Sequence, residues 1–520
     1  MSISRTIAKN TLFSFISTLT DVAVSFVVSI LLARGLGIEQ YGLYSFLIWF
    51  LSLAAMVVNL GLGEMTKRFI ADAVGRGDKE APVGIIQLTL IVRGGIATVL
   101  ISLLIVFLSG YLTEAFSEVD KSYYFILIGI ALFPNAMNNA IGSIFAGYQK
   151  YEYGAFIGLI TSPLRLVGII IMLALGYGVE EIIMVTALVW FIGMVAGFLV
   201  LGRLVPLRAL FLKSHMDPAL RKDAMKYAVT LMGIQGVSYF LWSQAEVLFI
   251  GLYCTIEDIA FYNLAYKIPH MAISLIPFVF GRVLMPTIAE QFGKGDLNKV
   301  KAIYVTSARY LMMLTFPLVI GGITLAAPII NVLYGSEYQQ SIVLMQIVFI
   351  PFSMMGLIHA TTSVIYGINK PSFILQTGIL LIIVSIGLYL WMIPRYGVMG
   401  AAIASSIPRI AVFPIYNYFV SKKIGSHWPV GDSIRVVLAA VIMGAAVFGI
   451  QKFLGDLPSL VVGIPLGVLI FFIALTVLRF NTSQEIQLLR KIEPRLPSAI
   501  RTKYTSAVNL METFARKSSL

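Results

Sequence analysis

Apolar stretches of twenty residues or more recur along this chain, each closed off by a short polar segment. At about 1.5 Å of rise per helical residue, a stretch of that length crosses the roughly 30 Å hydrocarbon core of a bilayer. The pattern predicts spans at roughly 11–33, 42–64, 82–108, 121–147, 154–176, 180–203, 227–251, 258–287, 301–327, 341–367, 372–393, 399–420, 432–454 and 459–479. Lipid offers the backbone no hydrogen-bonding partner, so every span is expected to be helical. The expected fold class is an all-α polytopic membrane protein with about fourteen transmembrane helices.

The polar segments set the expected orientation. With the N-terminus in the cytoplasm, the even-numbered connections and the C-terminus face inward, and most Lys and Arg fall on that side, as the positive-inside rule requires. The outward segments are short and neutral or acidic: Glu114, Glu118 and Asp120 in one, Glu180 and Glu181 in another, Glu257 and Asp258 in a third, with Arg395 a minor exception. This places the protein in the cell (inner, cytoplasmic) membrane with both termini cytoplasmic. The first apolar stretch runs past twenty residues without a nearby small-residue cleavage site, and is expected to be a retained span rather than a signal peptide. The longest inward connection, 204–226, carries Arg208, Lys213, Arg221, Lys222 and Lys226. The tail from 480 to 520 is basic, with Ile500, Tyr504, Val508 and Met511 on one helical face. It reads either as a helix lying on an anionic inner leaflet or as a plain solvated tail.

The two halves of the chain repeat. Ile38-Glu39-Gln40-Tyr41-Gly42-Leu43-Tyr44 matches Ile256-Glu257-Asp258-Ile259-Ala260-Phe261-Tyr262, and Gly75-Arg76-Gly77-Asp78 matches Gly293-Lys294-Gly295-Asp296. Gly147 and Lys150 match Gly367 and Lys370 at nearly the same offset. Six spans separate the copies, so corresponding helices keep their direction and the repeat is parallel. The expected organisation is a six-helix lobe at 1–203, a basic linker at 204–226, a second six-helix lobe at 227–420, two additional helices at 421–479 and a basic tail at 480–520. Two pseudo-symmetric lobes around a central cavity suit alternating access.

Composition narrows the class. Of 520 residues, 58% are hydrophobic and 12% charged, and the mean hydropathy is +0.90. A soluble domain carries about 25% charged residues, so this chain has too little polar surface for a water-exposed globule. The net charge of +13 is explained by inward loops rather than by nucleic acid, for which no motif is present. A single cysteine, Cys254, excludes an intrachain disulfide, and no metal-ligand spacing occurs.

The stretches ARGLGIEQYGLYSFL at 33–47, FIADAVGRGDKEA at 69–81, TIAEQFGKGD at 287–296 and YGSEYQQSIVLMQIV at 334–348 resemble the polysaccharide transporter family. That family contains the O-antigen (Wzx-type) flippases and belongs to the multidrug/oligosaccharidyl-lipid/polysaccharide exporter superfamily. The resemblance covers nearly the whole chain. It implies two six-helix lobes with two additional helices, and movement of a polyprenyl-(pyro)phosphate-linked oligosaccharide from the inner to the outer leaflet.

Ionisable groups inside spans cost roughly 2.5–3.5 kcal/mol each on insertion scales and usually face a cavity or a partner. The basic set is Arg93, Arg165, Lys267, Arg309 and Arg409, with Arg282 nearer an inner end. The acidic set is Asp21 and Glu246, in the corresponding first and seventh spans. A cationic lumen suits an anionic head-group, and arginine matches phosphate bidentately, so the five basic residues are the substrate-binding candidates. Asp21 and Glu246 are the ion-coupling candidates. For each, the alternative is a structural ion pair, a capped carbonyl or a snorkelling side chain. An enzyme of lipid-linked sugars would present catalytic residues on a large outward loop, which is lacking, and no Walker A glycine loop appears. The expectation is a non-enzymatic flippase without cofactor. Its expected partners are lipid-linked oligosaccharide, membrane lipids and other polysaccharide-assembly proteins. A cation-coupled multidrug-type antiporter and a lipid II-type flippase are the alternatives.

Overall fold

The computed structural model describes residues 3–513, apart from 60, 79, 117–121, 212–215, 483–484, 488–489 and 491–497. Side chains are also left out of the description at 3–8, 11, 211, 274–283, 498–500, 502–503, 507 and 510–511. Glu118, Asp120 and Lys213, and the side chains of Arg282, Ile500 and Met511, therefore lie outside the described residues. The regular elements are helices, with no β-strand among the described residues.

Ten helices are long and apolar enough to cross a membrane. Two of them, Leu12–Asn59 and Pro371–Ile424, run to 48 and 54 residues. As straight rods they would extend about 70–80 Å, more than twice the hydrocarbon core. Each instead changes course at a glycine with positive φ, Gly37 (77°) and Gly397 (56°), a region that glycine enters without steric penalty. Each therefore supplies two spans, the first and second, and the eleventh and twelfth. The seventh span is split between Pro218–Trp242 and Glu246–Tyr253, and the eighth is Ile256–Gly293. Among the described residues this makes a polytopic membrane protein of about fourteen helical spans.

The chain divides into two compact units: Met1–Asn263 with Gly378–Ala401, and Leu264–Thr377 with Ala402–Leu520. In the first unit, Leu62, Met65, Ile70, Ile86, Ile144 and Phe145 form an apolar core beneath the polar residues described below. In the second, Met312, Leu357, Val436, Met443 and Phe471 bind the ninth and tenth spans to the two C-terminal helices Val430–Leu454 and Asp456–Val477.

The repeat read from the sequence is also a repeat of local structure. Gly77 and Gly295 hold φ of 75° and 74°. The next residue in each copy accepts from the backbone at the start of the following helix: Asp78 Oδ1 from the N–H of Glu80 and Ala81, and Asp296 Oδ1 from that of Lys299. Gly147 packs on Ile70 in the first unit, and Gly367 packs on Ile288 in the second. Gln149 and Asn369 follow these glycines with the same φ of 57°. The last C-terminal element, Ser498–Thr513, is helical, with Val508 buried and Tyr504 half-buried.

Candidate functional site

The second span breaks where the sequence reads Asn59-Leu60-Gly61. Gly61 sits at φ 70° with its Cα against the carbonyl of Ala228, leaving no room for a Cβ. A new helix, Leu62–Gly75, starts there without a side-chain cap. Opposite the break, the third span is wound as a π-helix over Leu90–Ala97, a form that concentrates at functional sites. Arg93 lies within it.

Arg93 is only 6% exposed. Its Nη1 reaches Ser143 Oγ at 3.4 Å, and its Nε has no hydrogen-bond partner. A Cβ built on Gly63 would lie 3.2 Å from Arg93 Nη1, Asn59 Oδ1 and Ser143 Oγ alike, so these three polar groups converge on one glycine. Asn59 is held in turn by Gln235, Nδ2 to Oε1 at 3.1 Å. No described carboxylate pairs with Arg93. An ion taken out of water without a counter-charge costs several kcal/mol, so this guanidinium is set up to receive an anion.

Asp21 and Arg165 share a second polar site in the same unit. Both line a cavity of about 340 Å³ with Ser25, Asn135, Asn138 and Ser162. Each is held by a serine rather than by the other: Ser162 Oγ donates to Asp21 Oδ1, and Arg165 Nη2 donates to Ser25 Oγ at 3.1 Å. The cavity thus offers both signs of charge and several amides to a bound polar group. The fourth span joins the two sites, since Ser143 Oγ donates to the carbonyl of Asn139 and Asn139 lines the cavity.

Glu246 opens the second segment of the broken seventh span and is fully buried. Tyr262 donates its hydroxyl to Glu246 Oε1, and Tyr389 Oη lies 3.4 Å from Oε2. Two phenols thus lie against the carboxylate.

In the second unit the basic residues are differently placed. Arg309 Nε lies 2.7 Å from Asp432 Oδ2, and its Nη1 lies 3.0 Å from Glu485 Oε1. Its Nη2 donates to the carbonyl of Phe480 at 2.9 Å. Arg435 shares Asp432 at 2.9 Å, and Tyr310 donates to Glu485 at 3.1 Å. This is an ion-pair cluster tying the ninth span to both ends of the C-terminal helix pair. Arg409 is fully buried, with its guanidinium carbon 5.3 Å from the ring centre of Tyr266. Lys267 is half-buried in the eighth span. Arg93 and Arg309, in corresponding spans, therefore have opposite surroundings.

Of the seven residues singled out in the sequence, Asp21 and Arg165 are brought to one cavity. The carboxylates that hold Arg309 were not singled out, because Asp432 and Glu485 lie at span ends where charge is unremarkable. The amides of the fourth span carry no charge and do not stand out beside ionisable groups in an apolar stretch. Pro134-Asn135-Ala136-Met137-Asn138-Asn139 inside an apolar stretch was the available signal.

Comparison with known proteins places this architecture. The family described as "Polysaccharide biosynthesis protein" matches residues 7–292, and the motifs at 33–47 and 69–81 lie inside that region. The probable flippase AglR of Haloferax volcanii is 26% identical over 238 residues, which are 40% of this chain and 49% of that protein. The match thus spans about half the length of that relative. Among solved structures, lipid II flippase MurJ in an inward closed conformation superposes with a TM-score of 0.72 at 14% identity, covering 89% of this chain and 97% of that one. A multidrug resistance MATE family transporter of the MOP superfamily, facing inward, superposes with a TM-score of 0.62 at 18% identity, covering 78% and 94%. At these identities the structural likeness is one of fold.

Proposed function

Because the chain belongs to the polysaccharide biosynthesis protein family, we propose that it is a flippase. Its cargo on this reading is a polyprenyl-(pyro)phosphate-linked oligosaccharide, moved from the cytoplasmic to the outer leaflet by alternating access. The observation that carries the reading is Arg93, a buried guanidinium without a carboxylate partner among the described residues, beside a break in the second span. A pyrophosphate supplies the missing counter-charge and accepts several hydrogen bonds from such a group. Asn59 and Ser143 add neutral polar contacts that hold an anion without trapping it.

The other parts follow from their chemistry. Arg165 is a second cationic contact, and Asp21 beside it is the ion-coupling candidate, with Glu246 the other. In the second unit an apolar cavity of about 460 Å³, lined by Leu314, Leu318, Val447, Gly467 and Phe471 among others, suits a polyprenyl tail left in an apolar phase while the glycan crosses. Lys267 and Arg409 remain cationic candidates in that unit, whereas Arg309 is assigned a structural part. The six-span parallel repeat supplies the two like-directed halves, 1–203 and 227–420, that alternating access uses. With both termini cytoplasmic, outward movement of an anion is aided by an inside-negative potential, worth roughly 2.3 kcal/mol per charge per 100 mV.

The deciding experiment is complementation of a deletion strain with wild type or with Arg93→Ala, reading surface glycan, lipid-linked precursor and membrane protein level. The flippase reading expects precursor to accumulate inside on deletion, and an inserted but inactive Arg93→Ala. Unchanged glycan and precursor after deletion overturn it. A cation-coupled antiporter is the second reading, and the Asp21 carboxylate, held by Ser162 rather than by Arg165 in its cavity, is the observation that favours it. That reading expects deletion to alter drug sensitivity and leave the glycan intact.

A further inference from the structure

A groove outside the polar sites runs along the π-helical face of the third span. Its volume is about 940 Å³, the wall is largely apolar (Ile91, Gly95, Ile96, Val99 and Phe198), and Arg221 is the charged residue of its lining. Ile91 and Ile96 are each 55% exposed, apolar surface of the kind that hydrocarbon covers. From Gly84 to Val99 the lining covers roughly 22 Å of helix rise, longer than one leaflet of a core about 30 Å thick. That charge is not isolated: Arg203, Arg208, Lys222 and Lys226 are exposed around the same linker, and outnumber the exposed Asp217 and Asp223 there. The linker is fastened to the third span by Gln87, whose Nε2 donates to the carbonyl of Ala209 at 2.7 Å.

We infer that this groove is a binding site for an anionic glycerophospholipid of the surrounding leaflet. One acyl chain lies along Ile91, Ile96 and Val99, and the phosphodiester meets Arg221. The charge at the rim and the length of the apolar wall together select a two-part ligand, one end ionic and the other hydrocarbon. A zwitterionic lipid fills the same groove but brings its own cation to Arg221. The bound chain buttresses the outer face of the helical turn whose inner face carries Arg93. The lipid would thereby tune the flippase site, a consequence that rests on the reading above, whereas the binding itself does not.

Native mass spectrometry of the full chain, with phosphatidylglycerol or phosphatidylcholine added at equal concentration, tests the binding. Wild type is expected to retain phosphatidylglycerol about fivefold more than phosphatidylcholine, equivalent to ~1 kcal/mol for one basic group near an anionic surface. Arg221→Glu is expected to abolish the preference, Arg221→Lys to keep it, and Ile96→Trp, which fills the groove, to lose both adducts. Equal retention of the two lipids, or a preference surviving Arg221→Glu, overturns the site. Displacement of phosphatidylglycerol by equimolar polyprenyl phosphate also overturns it, because the groove would then belong to the cargo. None of these outcomes depends on transport, so failure here and failure of the flippase reading are separable.

Discussion

The Cα of Gly42 packs on the backbone carbonyl of Ile256, so closely that any Cβ at residue 42 would overlap that oxygen. The two residues belong to the two copies of the repeated motif, and next to them Tyr41 donates its hydroxyl to Asn263 at 3.2 Å. Within the first unit, then, one copy of the motif is seated on the other. Gly42→Ala is expected to lower the thermal midpoint in detergent, and Gly42→Val to lower it further, with overpacking costing about 1–3 kcal/mol. An unchanged midpoint for Gly42→Val would mean that this seam adds nothing to stability.

Asp432→Asn should be strongly destabilising. It leaves Arg309, whose side chain is 7% exposed, with Glu485 as its remaining carboxylate, and it strips Arg435 of its partner. Breaking a buried ion pair costs about 3–5 kcal/mol, and the surviving Glu485 contact points to the lower end. Thermal unfolding is the measurement. Combining the change with Arg309→Met should recover part of the loss, because the buried guanidinium is then gone, while Arg435 and Glu485 are each left without the ionic partner they had.

Arg93→Met is expected to behave in the opposite way. No carboxylate is orphaned by the change and an uncompensated charge leaves the interior, so the midpoint should hold or rise. Transport should still fall by more than about tenfold, the equivalent of ~1.4 kcal/mol of lost interaction. Precursor flipping in reconstituted vesicles, with unfolding measured on the same preparation, separates the two effects. A drop in stability with transport retained would make Arg93 a structural residue.

The capping carboxylates of the two repeat turns predict a pH effect. Backbone N–H groups of Ala81 and Glu80 hold the Asp78 carboxyl below its ordinary 3.8, and the backbone N–H of Lys299 does the same for Asp296. A carboxyl whose folded-state pKa is depressed stabilises the fold fully above its unfolded value, and that contribution is lost as pH falls through the lowered one. Wild type should therefore lose stability below about pH 4 more steeply than an Asp78→Asn/Asp296→Asn double variant. The variant keeps a capping oxygen without the charge. Thermal midpoints collected from neutral pH into that range give the comparison, and parallel curves would remove these two residues from the acid response.

The spans and the repeat were readable because their signals are periodic and long: apolar runs of fixed length, and turns such as Gly75-Arg76-Gly77-Asp78 that recur with the same φ and the same cap. The candidate site was readable only in part. Asp21 and Arg165 stand out as charges in apolar stretches, and they do line one cavity. The fate of Arg309 was hidden, because its partners are far along the chain and sit at span ends, where a carboxylate carries no information about depth. The break at Gly61 and the π-helix around Arg93 were hidden for another reason. Gly61 is pressed against Ala228 and Arg93 reaches Ser143, contacts between distant positions that no local pattern encodes.

The Arg309 cluster bears on the order in which the protein is made. Arg309 is separated from Glu485 by 176 positions and from Phe480 by 171. A ribosome has therefore released the ninth span well before the groups that satisfy its guanidinium exist. Asp432 arrives first, and until the residues after the last span emerge the nascent second unit holds this guanidinium with only part of its cluster, so that assembly of the unit closes from its C-terminal end. Chains ending before Glu485 would reach the membrane with that closure incomplete, and cellular proteases would meet them in that state.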